Sequence, residues 1–289
     1  MNARLSFERD GTDWPNREGT RFVMAAGLRW HVQVLGEGPV ILLIHGTGAS
    51  THSFRELAAI LSKAFTVVVP DLPGHGFTDR PPSARLSLAC MAQSLAEMLR
   101  TLGLRPSVVV GHSAGAAIAI QMCLDGSIDP DVVVSINGAL LPFNGLACQV
   151  FSPLAKILAL SPLVPWFLAS RAARPGTVEQ LIRNTGSDVD AQSIDLYRRL
   201  FRTENHVASA LGMMANWDLS TLERRLPELR VPLVLVAAGG DRAVPPDQAS
   251  AVKNRVARGE VVYLRGLGHL AHEERPEALA EIIVRAARQ

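Results

Sequence analysis

Short blocks of Val, Ile and Leu recur along the chain, and they run on without alternating with polar residues. Pro39–Gly46 (PVILLIHG), Phe65–Gly76 (FTVVVPDLPGHG), Pro106–Ser113 (PSVVVGHS), Asp129–Gly138 (DPDVVVSING), Val231–Asp241 (VPLVLVAAGGD) and Gly259–His269 (GEVVYLRGLGH) share this format, each ending at glycine or another turn former. Runs of that length suit strands buried on both faces. Between them, His52–Ala64, Leu86–Gly103 and Arg275–Gln289 place apolar residues at i, i+3, i+4 and i+7, the mark of a helix with one buried face. Strands alternating with helices predict an α/β domain with a mostly parallel sheet covered on both sides. Leu28–Gly36 (LRWHVQVLG) alternates loosely and predicts an antiparallel strand at the sheet edge.

One region breaks the rhythm. From Ala139 to Leu219 there is no buried-strand run, only helical patterns punctuated by proline and glycine: Leu146–Leu160, Gly176–Gly186, Ser193–Phe201 and Asn205–Trp217. The pattern predicts a core of residues 1–138 and 220–289, with residues 139–219 inserted as a helical cap. The longest apolar stretch, Ile157–Ser170, holds Pro162 and Pro165 and is too short to span a bilayer, though it allows shallow contact with a membrane surface. Leu158, Leu160, Leu163, Val164, Trp166, Phe167 and Leu168 give this stretch its apolar side. Of these, Leu163, Trp166 and Phe167 are the expected contacts to a bulky hydrophobic substrate, with plain packing inside the cap as the competing explanation.

Composition narrows the partners. Hydrophobic residues make up 48% of the 289 positions and charged ones 19%, ample for a large core. A net charge of +2 gives no broad basic field, so nucleic acid is not an expected partner. Cys90, Cys123 and Cys148 are scattered, with no metal-ligand spacing and no disulfide framework, and no metal or other cofactor is expected. Inert thiols and a reducing cytoplasm follow from that usage, and the polar segment from Met1 to Phe22 carries no signal-peptide pattern.

The candidate chemistry sits at the ends of the apolar runs. Gly111-His112-Ser113-Ala114-Gly115 occupies a strand-to-helix seam, the nucleophile-elbow arrangement. The turn is so tight that side chains at Gly111 and Gly115 would clash, and it strains the Ser113 backbone while holding Oγ above the sheet. A serine hydroxyl needs a base, and the base needs an orienting carboxylate. His269, flanked by Gly266 and Gly268 after the last run, and Asp241, after Gly239-Gly240, complete the order Ser–Asp–His. His272 is the rival base, disfavoured because it falls at the start of the last helix. The glycine-rich turn Ile44–Ser50 brings a second backbone N–H, that of Thr47, beside that of Ala114 to form an oxyanion hole, and the Thr47 hydroxyl is an optional third donor. His75, in a turn-building segment, and His112, expected to point away from Ser113 Oγ, receive no chemistry.

Together HGTGAS, DLPGHG, GHSAGA, GGDRAVP and GHLAHEERP resemble the α/β-hydrolase superfamily over nearly the whole chain. The serine at position 113 sets the chain apart from members that use an aspartate nucleophile. A narrower likeness runs through Arg9–Arg17 (RDGTDWPNR), GLRWHVQVLG, GHSAGAAIAIQM and SINGAL, which resemble the magnesium-chelatase accessory hydrolases, the BchO-type proteins of bacteriochlorophyll synthesis. The resemblance implies a role beside magnesium chelatase, with a tetrapyrrole or its ester as substrate. It leaves three functions open: hydrolysis of an ester or related acyl bond, the same machinery turned on a C–C bond or lipid ester, and a non-catalytic porphyrin-binding accessory. The DWPNR segment is a Pro-rich arm that either packs on the core or meets a partner.

Overall fold

A computed structural model describes residues 4–142, 161 and 163–288. The helical pattern at Leu146–Leu160, and with it Cys148, Leu158 and Leu160, lies outside the described residues. All six apolar runs form strands: β3 (Val40–Ile44), β4 (Thr66–Pro70), β5 (Val108–His112), β6 (Val132–Ile136), β7 (Leu233–Ala238) and β8 (Gly259–Leu264). They lie parallel in the order β4-β3-β5-β6-β7-β8. Two antiparallel strands, β1 (Thr20–Ala25) and β2 (Leu28–Leu35), extend the sheet beyond β4 to eight strands.

The edge assignment of Leu28–Gly36 needs correcting. That segment is β2, which lies inside the sheet with Trp30 and Val32 fully buried, and β1 forms the edge. Thr20–Ala25 (TRFVMA) carries the short apolar block Phe22–Ala25, which the sequence analysis did not single out, and it pairs with β2 with Phe22 opposite His31.

Alternate residues of each central strand feed two cores. Leu42, Ile44, Val109 and Val133 pack under helices α2 (Leu88–Leu102) and α3 (Ala114–Leu124). Ile41, Leu43, Val110 and Val134 pack under α1 (Arg55–Leu61) and α9 (Pro276–Ala286). Helix α8 (Asp247–Lys253) adds Val252 to the first core. Helix α2 stops where Gly103 turns left-handed at φ 68°, a conformation that side chains resist.

The described part of the insertion is helical: α4 (Leu163–Ala172), α5 (Thr177–Asn184), α6 (Ala191–Phe201) and α7 (Glu204–Ala215). The N-terminal arm fastens it to the core. Trp14 is buried, with Nε1 donating to Thr51 Oγ1 at 3.0 Å and its ring edge-on to Phe77 at 4.8 Å. Gln33 Nε2 donates to Pro15 O at 2.6 Å, and Asn16 Nδ2 to Arg55 O at 2.9 Å. Asp13 pairs with Arg199 of α6 at 2.7 Å. The DWPNR arm therefore packs on the sheet domain and bridges to helix α6.

Candidate active site

Three strand ends place the three predicted residues. Ser113 follows β5 directly, at φ 52° and ψ −118°, a conformation an L-residue holds only under constraint. The constraint comes from backbone on both sides. A Cβ on Gly111 would lie 2.4 Å from Ala116 backbone atoms, and one on Gly115 would lie 2.2 Å from Ile44 O. The predicted need for glycine at both positions is thus met by contact with backbone, which cannot move aside.

Asp241 and His269 follow β7 and β8. His269 Nδ1 bonds to Asp241 Oδ2 at 2.8 Å, and Asp241 Oδ1 accepts from Ala243 N–H at 2.7 Å and Val244 N–H at 2.9 Å. The carboxylate is fixed through both oxygens, so it holds the imidazole with Nε2 as the free ring nitrogen. Both side chains are almost fully buried. Among the described residues no hydrogen bond joins Ser113 Oγ to His269 Nε2.

The elbow and the Ile44–Ser50 turn touch. Ile44 pairs with Gly111 across β3 and β5, and a Cβ on Gly46 would come within 3.0 Å of Ser113 Cβ. Thr47 therefore directly follows the residue that lies against Ser113. The N–H groups of Thr47 and Ala114 have no hydrogen-bond partner among the described residues, the latter because it opens α3. The Thr47 hydroxyl is engaged elsewhere, donating to Met213 Sδ of α7 at 3.3 Å.

The other histidines lie off the reaction path. His272 is buried and its Nε2 meets Ser53 Oγ at 2.8 Å; burial depresses its basicity to about 3. It sits in the separate one-turn helix Ala271–Glu274, just before the last helix rather than at its start. His112 turns beneath the elbow, its Nε2 donating to His269 O at 3.0 Å. Burial keeps it neutral, as it does His75. Asp71, in the DLPGHG turn, ties the turn together. It bonds to His31 Nδ1 at 2.7 Å and accepts from Thr51 N–H at 2.7 Å and Phe77 N–H at 2.9 Å. Burial opposes its charge, yet His31 and these bonds hold the carboxyl down at about 2.

Two further groups support the site, and the sequence did not single them out. Asn137, after β6 at φ 47°, donates from Nδ2 to His269 O at 2.8 Å and to Gly268 O at 3.0 Å, while its Oδ1 accepts from Ala238 N–H at 2.8 Å. One buried amide thus ties the histidine loop to the end of the strand that carries Asp241. An asparagine closing an apolar run (VVVSING) was the available signal. The second group is the cap segment Thr185–Ser187. Thr185 O accepts from Arg242 N–H and His269 N–H, and Ser187 Oγ accepts from Leu270 N–H at 2.8 Å. A Cβ on Gly186 would lie 2.0 Å from Gly240 O. Nothing in the local pattern NTGSD marks this segment as part of the rim.

The expected substrate contacts fall differently. Between α4, α5 and α7 lies a cavity of about 830 Å³, whose walls include Leu168, Leu181, Phe201, Ala210 and Met214. Leu163, Trp166 and Phe167 do not line it and stand at the surface, half or more exposed. Phe201 stands between the cavity and the Ile44–Ser50 turn: its ring lies 3.4 Å from where a Cβ on Gly48 would be. Among the described residues no cluster of His, Cys, Asp or Glu is arranged to hold a metal ion. Cys90 and Cys123 are unpaired, and burial pushes the Cys123 thiol up to about 12, so it stays protonated. No described helix is long and apolar enough to cross a membrane.

Comparison with known proteins agrees with this architecture. The model of the alpha/beta hydrolase family matches residues 41–282. The magnesium-chelatase 30 kDa subunit of Rhodobacter capsulatus is 39% identical over 278 residues, covering 94% of this chain and 95% of that one. Among solved structures, an α/β-hydrolase-fold protein from Burkholderia ambifaria superposes with a TM-score of 0.76 at 23% identity, covering 92% of this chain and 97% of that one. The enol-lactonase of Burkholderia xenovorans superposes with a TM-score of 0.75 at 20% identity, covering 93% of this chain and 100% of that one. From the strand order, the strained elbow and these matches, the chain belongs to the α/β-hydrolase family and is a relative of the 30 kDa magnesium-chelatase subunit.

Proposed function

We propose that the protein is a serine hydrolase that cleaves an ester or related acyl bond in a bulky hydrophobic substrate. The observation that carries this reading is the pairing of a strained serine at the end of β5 with a doubly fixed Asp241–His269 pair at the ends of β7 and β8. Ser113 Oγ attacks the carbonyl carbon as His269 Nε2 takes its proton. The developing oxyanion accepts hydrogen bonds from the Thr47 and Ala114 N–H groups, each such donor worth about 3 kcal/mol in the transition state. Collapse expels the alcohol, which takes the proton back from His269. Water, deprotonated by the same nitrogen, then frees the acyl group as acid. Asp241 stays ionised throughout and stabilises the imidazolium. The missing bond between Ser113 and His269 is compatible with this path, because such contacts commonly tighten only with substrate.

The cap cavity supports a hydrophobic substrate, and kinship with the magnesium-chelatase 30 kDa subunit makes a tetrapyrrole ester the first candidate and magnesium chelatase the first candidate partner. A panel of aryl, alkyl, lipid and tetrapyrrole esters, with C–C-bond substrates beside them, tests the reading. Ester turnover that vanishes in Ser113→Ala supports it; turnover confined to C–C substrates overturns it.

A second reading keeps porphyrin binding and leaves the triad idle. The absence of a Ser113–His269 hydrogen bond favours it. Porphyrin titration of wild type and Ser113→Ala, alongside assays of chelatase support in cells, separates the two. Full support from Ser113→Ala would establish the binding role.

A further inference from the structure

Helix α4 is built inside out. The stripe it turns toward α5, α6 and α7 consists of Pro165, Ala169 and Ala172, all buried and mostly small. Its large apolar residues point the other way. Leu163, Trp166 and Phe167, at i, i+3 and i+4, share one face and are 71%, 50% and 53% exposed. A surface helix ordinarily does the reverse. Single exposed apolar side chains need no explanation, but Leu, Trp and Phe side by side on one turn mark an interaction surface.

Charge identifies what it meets. Arg171 closes α4, Arg174 follows in the next turn, and Arg183 lies in α5. None of these three exposed guanidinium groups forms a hydrogen bond or ion pair with a described residue. Glu179, the acid near Arg183, is taken by Arg198 at 2.7 Å. A second copy of the chain is a poor occupant, because a two-fold contact through this face would bring the unpaired cations of both copies together. The substrate cavity is not the destination either, since none of the three apolar residues lines it.

We propose that the outer face of α4 docks the protein on an anionic lipid bilayer. Leu163 and Phe167 enter the acyl boundary and Trp166 sits at the headgroup level. Arg171, Arg174 and Arg183 pair with lipid phosphates. Leu168 and Arg171, on the flank of the same helix, also line the cap cavity, so its mouth opens beside the docked face. The proposal does not depend on the reaction proposed above.

Vesicle flotation of the full chain tests it. The probes are phosphatidylcholine vesicles with and without about one-third phosphatidylglycerol, at about 0.1 M and 0.5 M salt. The wild type should float with the anionic vesicles, weakly or not at all with the neutral ones, and less at high salt. In a Trp217→Phe background, Trp166 fluorescence should shift to the blue on binding, since Trp14 and Trp30 are already buried. Trp166→Ser/Phe167→Ser should bind at least about tenfold more weakly. Arg171→Gln/Arg174→Gln/Arg183→Gln should lose the preference for anionic lipid while keeping the wild-type circular dichroism and Tm. No flotation of wild type on anionic vesicles overturns the proposal, as does undiminished flotation of the aromatic double variant. A dimer that the double variant dissolves, seen by light scattering without lipid, would assign the face to a second copy and overturn it equally.

Discussion

The carboxyl edge of the sheet and the cap above it solve opposite problems. At the sheet edge the groups around the Asp241–His269 pair are committed. Asp241 uses both oxygens, Asn137 uses both its donors and its acceptor, and the His269 carbonyl accepts from two side chains. The outer face of α4 and α5 leaves apolar surface exposed and three cations with no hydrogen bond or ion pair to a described residue. One region fixes the Asp241–His269 pair through hydrogen bonds, and the other presents apolar and cationic surface to solvent. The contrast shows where substitutions should strike chemistry and where they should strike encounter.

The largest effects belong to the edge. Ser113→Ala should lower turnover by at least about 10⁴-fold, and Asp241→Asn by about 10³–10⁴-fold through loss of the correct imidazole tautomer. Ser113→Ala should barely change Tm, because Ser113 Oγ makes no hydrogen bond with a described residue. Steady-state kinetics and calorimetry check both, and near-normal turnover in either variant would erase the distinction between the two regions.

Asn137→Ala comes next. It removes the Asn137 partner of Gly268 O and Ala238 N–H, at roughly 1–3 kcal/mol for a buried group left unsatisfied, while His269 O keeps its bond from His112 Nε2. If Asn137 positions the His269 loop, kcat should fall about 10- to 100-fold with KM changed less than about threefold, and the acid limb of the pH–rate profile should move. A loss of stability with an unchanged kcat and pH profile would make it a structural residue only.

The smallest effect sharpens the boundary between the regions. Glu273 is buried where the cap meets the core, its Oε1 accepting from Ser53 Oγ at 2.6 Å and from Tyr197 of α6 at 2.7 Å. Burial pushes its carboxyl up from 4.5 to about 7, against those two bonds. Between those pH values the folded protein holds a proton that the unfolded chain has shed. Stability from this group is therefore full below the lower value and falls as pH rises through about 7, by at most about 3 kcal/mol. Glu273→Gln should flatten Tm between about pH 5 and pH 8 and melt above wild type at the alkaline end. An unchanged slope would remove Glu273 as its source.

The same contrast governs what the sequence reveals. Strand ends carry the candidate residues at the edge: once the apolar runs are recognised, Ser113, Asp241 and His269 fall at the exits of the third, fifth and sixth of them, and Gly111 and Gly115 report the tightness of the turn. The pairing of His269 with Asp241 was legible for that reason. Strand β1 was not, because its apolar block Phe22–Ala25 is short and sits at the sheet edge, where most of its residues stay partly exposed. Asn137 and Thr185–Ser187 were not, because their roles consist of bonds to backbone groups far along the chain. The cap misled for a related reason. Helical periodicity shows that Leu163, Trp166 and Phe167 share a face, but not whether that face turns inward. The small stripe of Pro165, Ala169 and Ala172 decides it, since close helix packing takes small residues.

The activation of Ser113 is tested most directly by labelling the folded protein with a fluorophosphonate probe, followed by peptide mass mapping. The account predicts stoichiometric modification at Ser113 in the wild type, with labelling slowed by at least about 10³-fold in His269→Ala. Failure of the folded wild type to label, or equal labelling in His269→Ala, would contradict it.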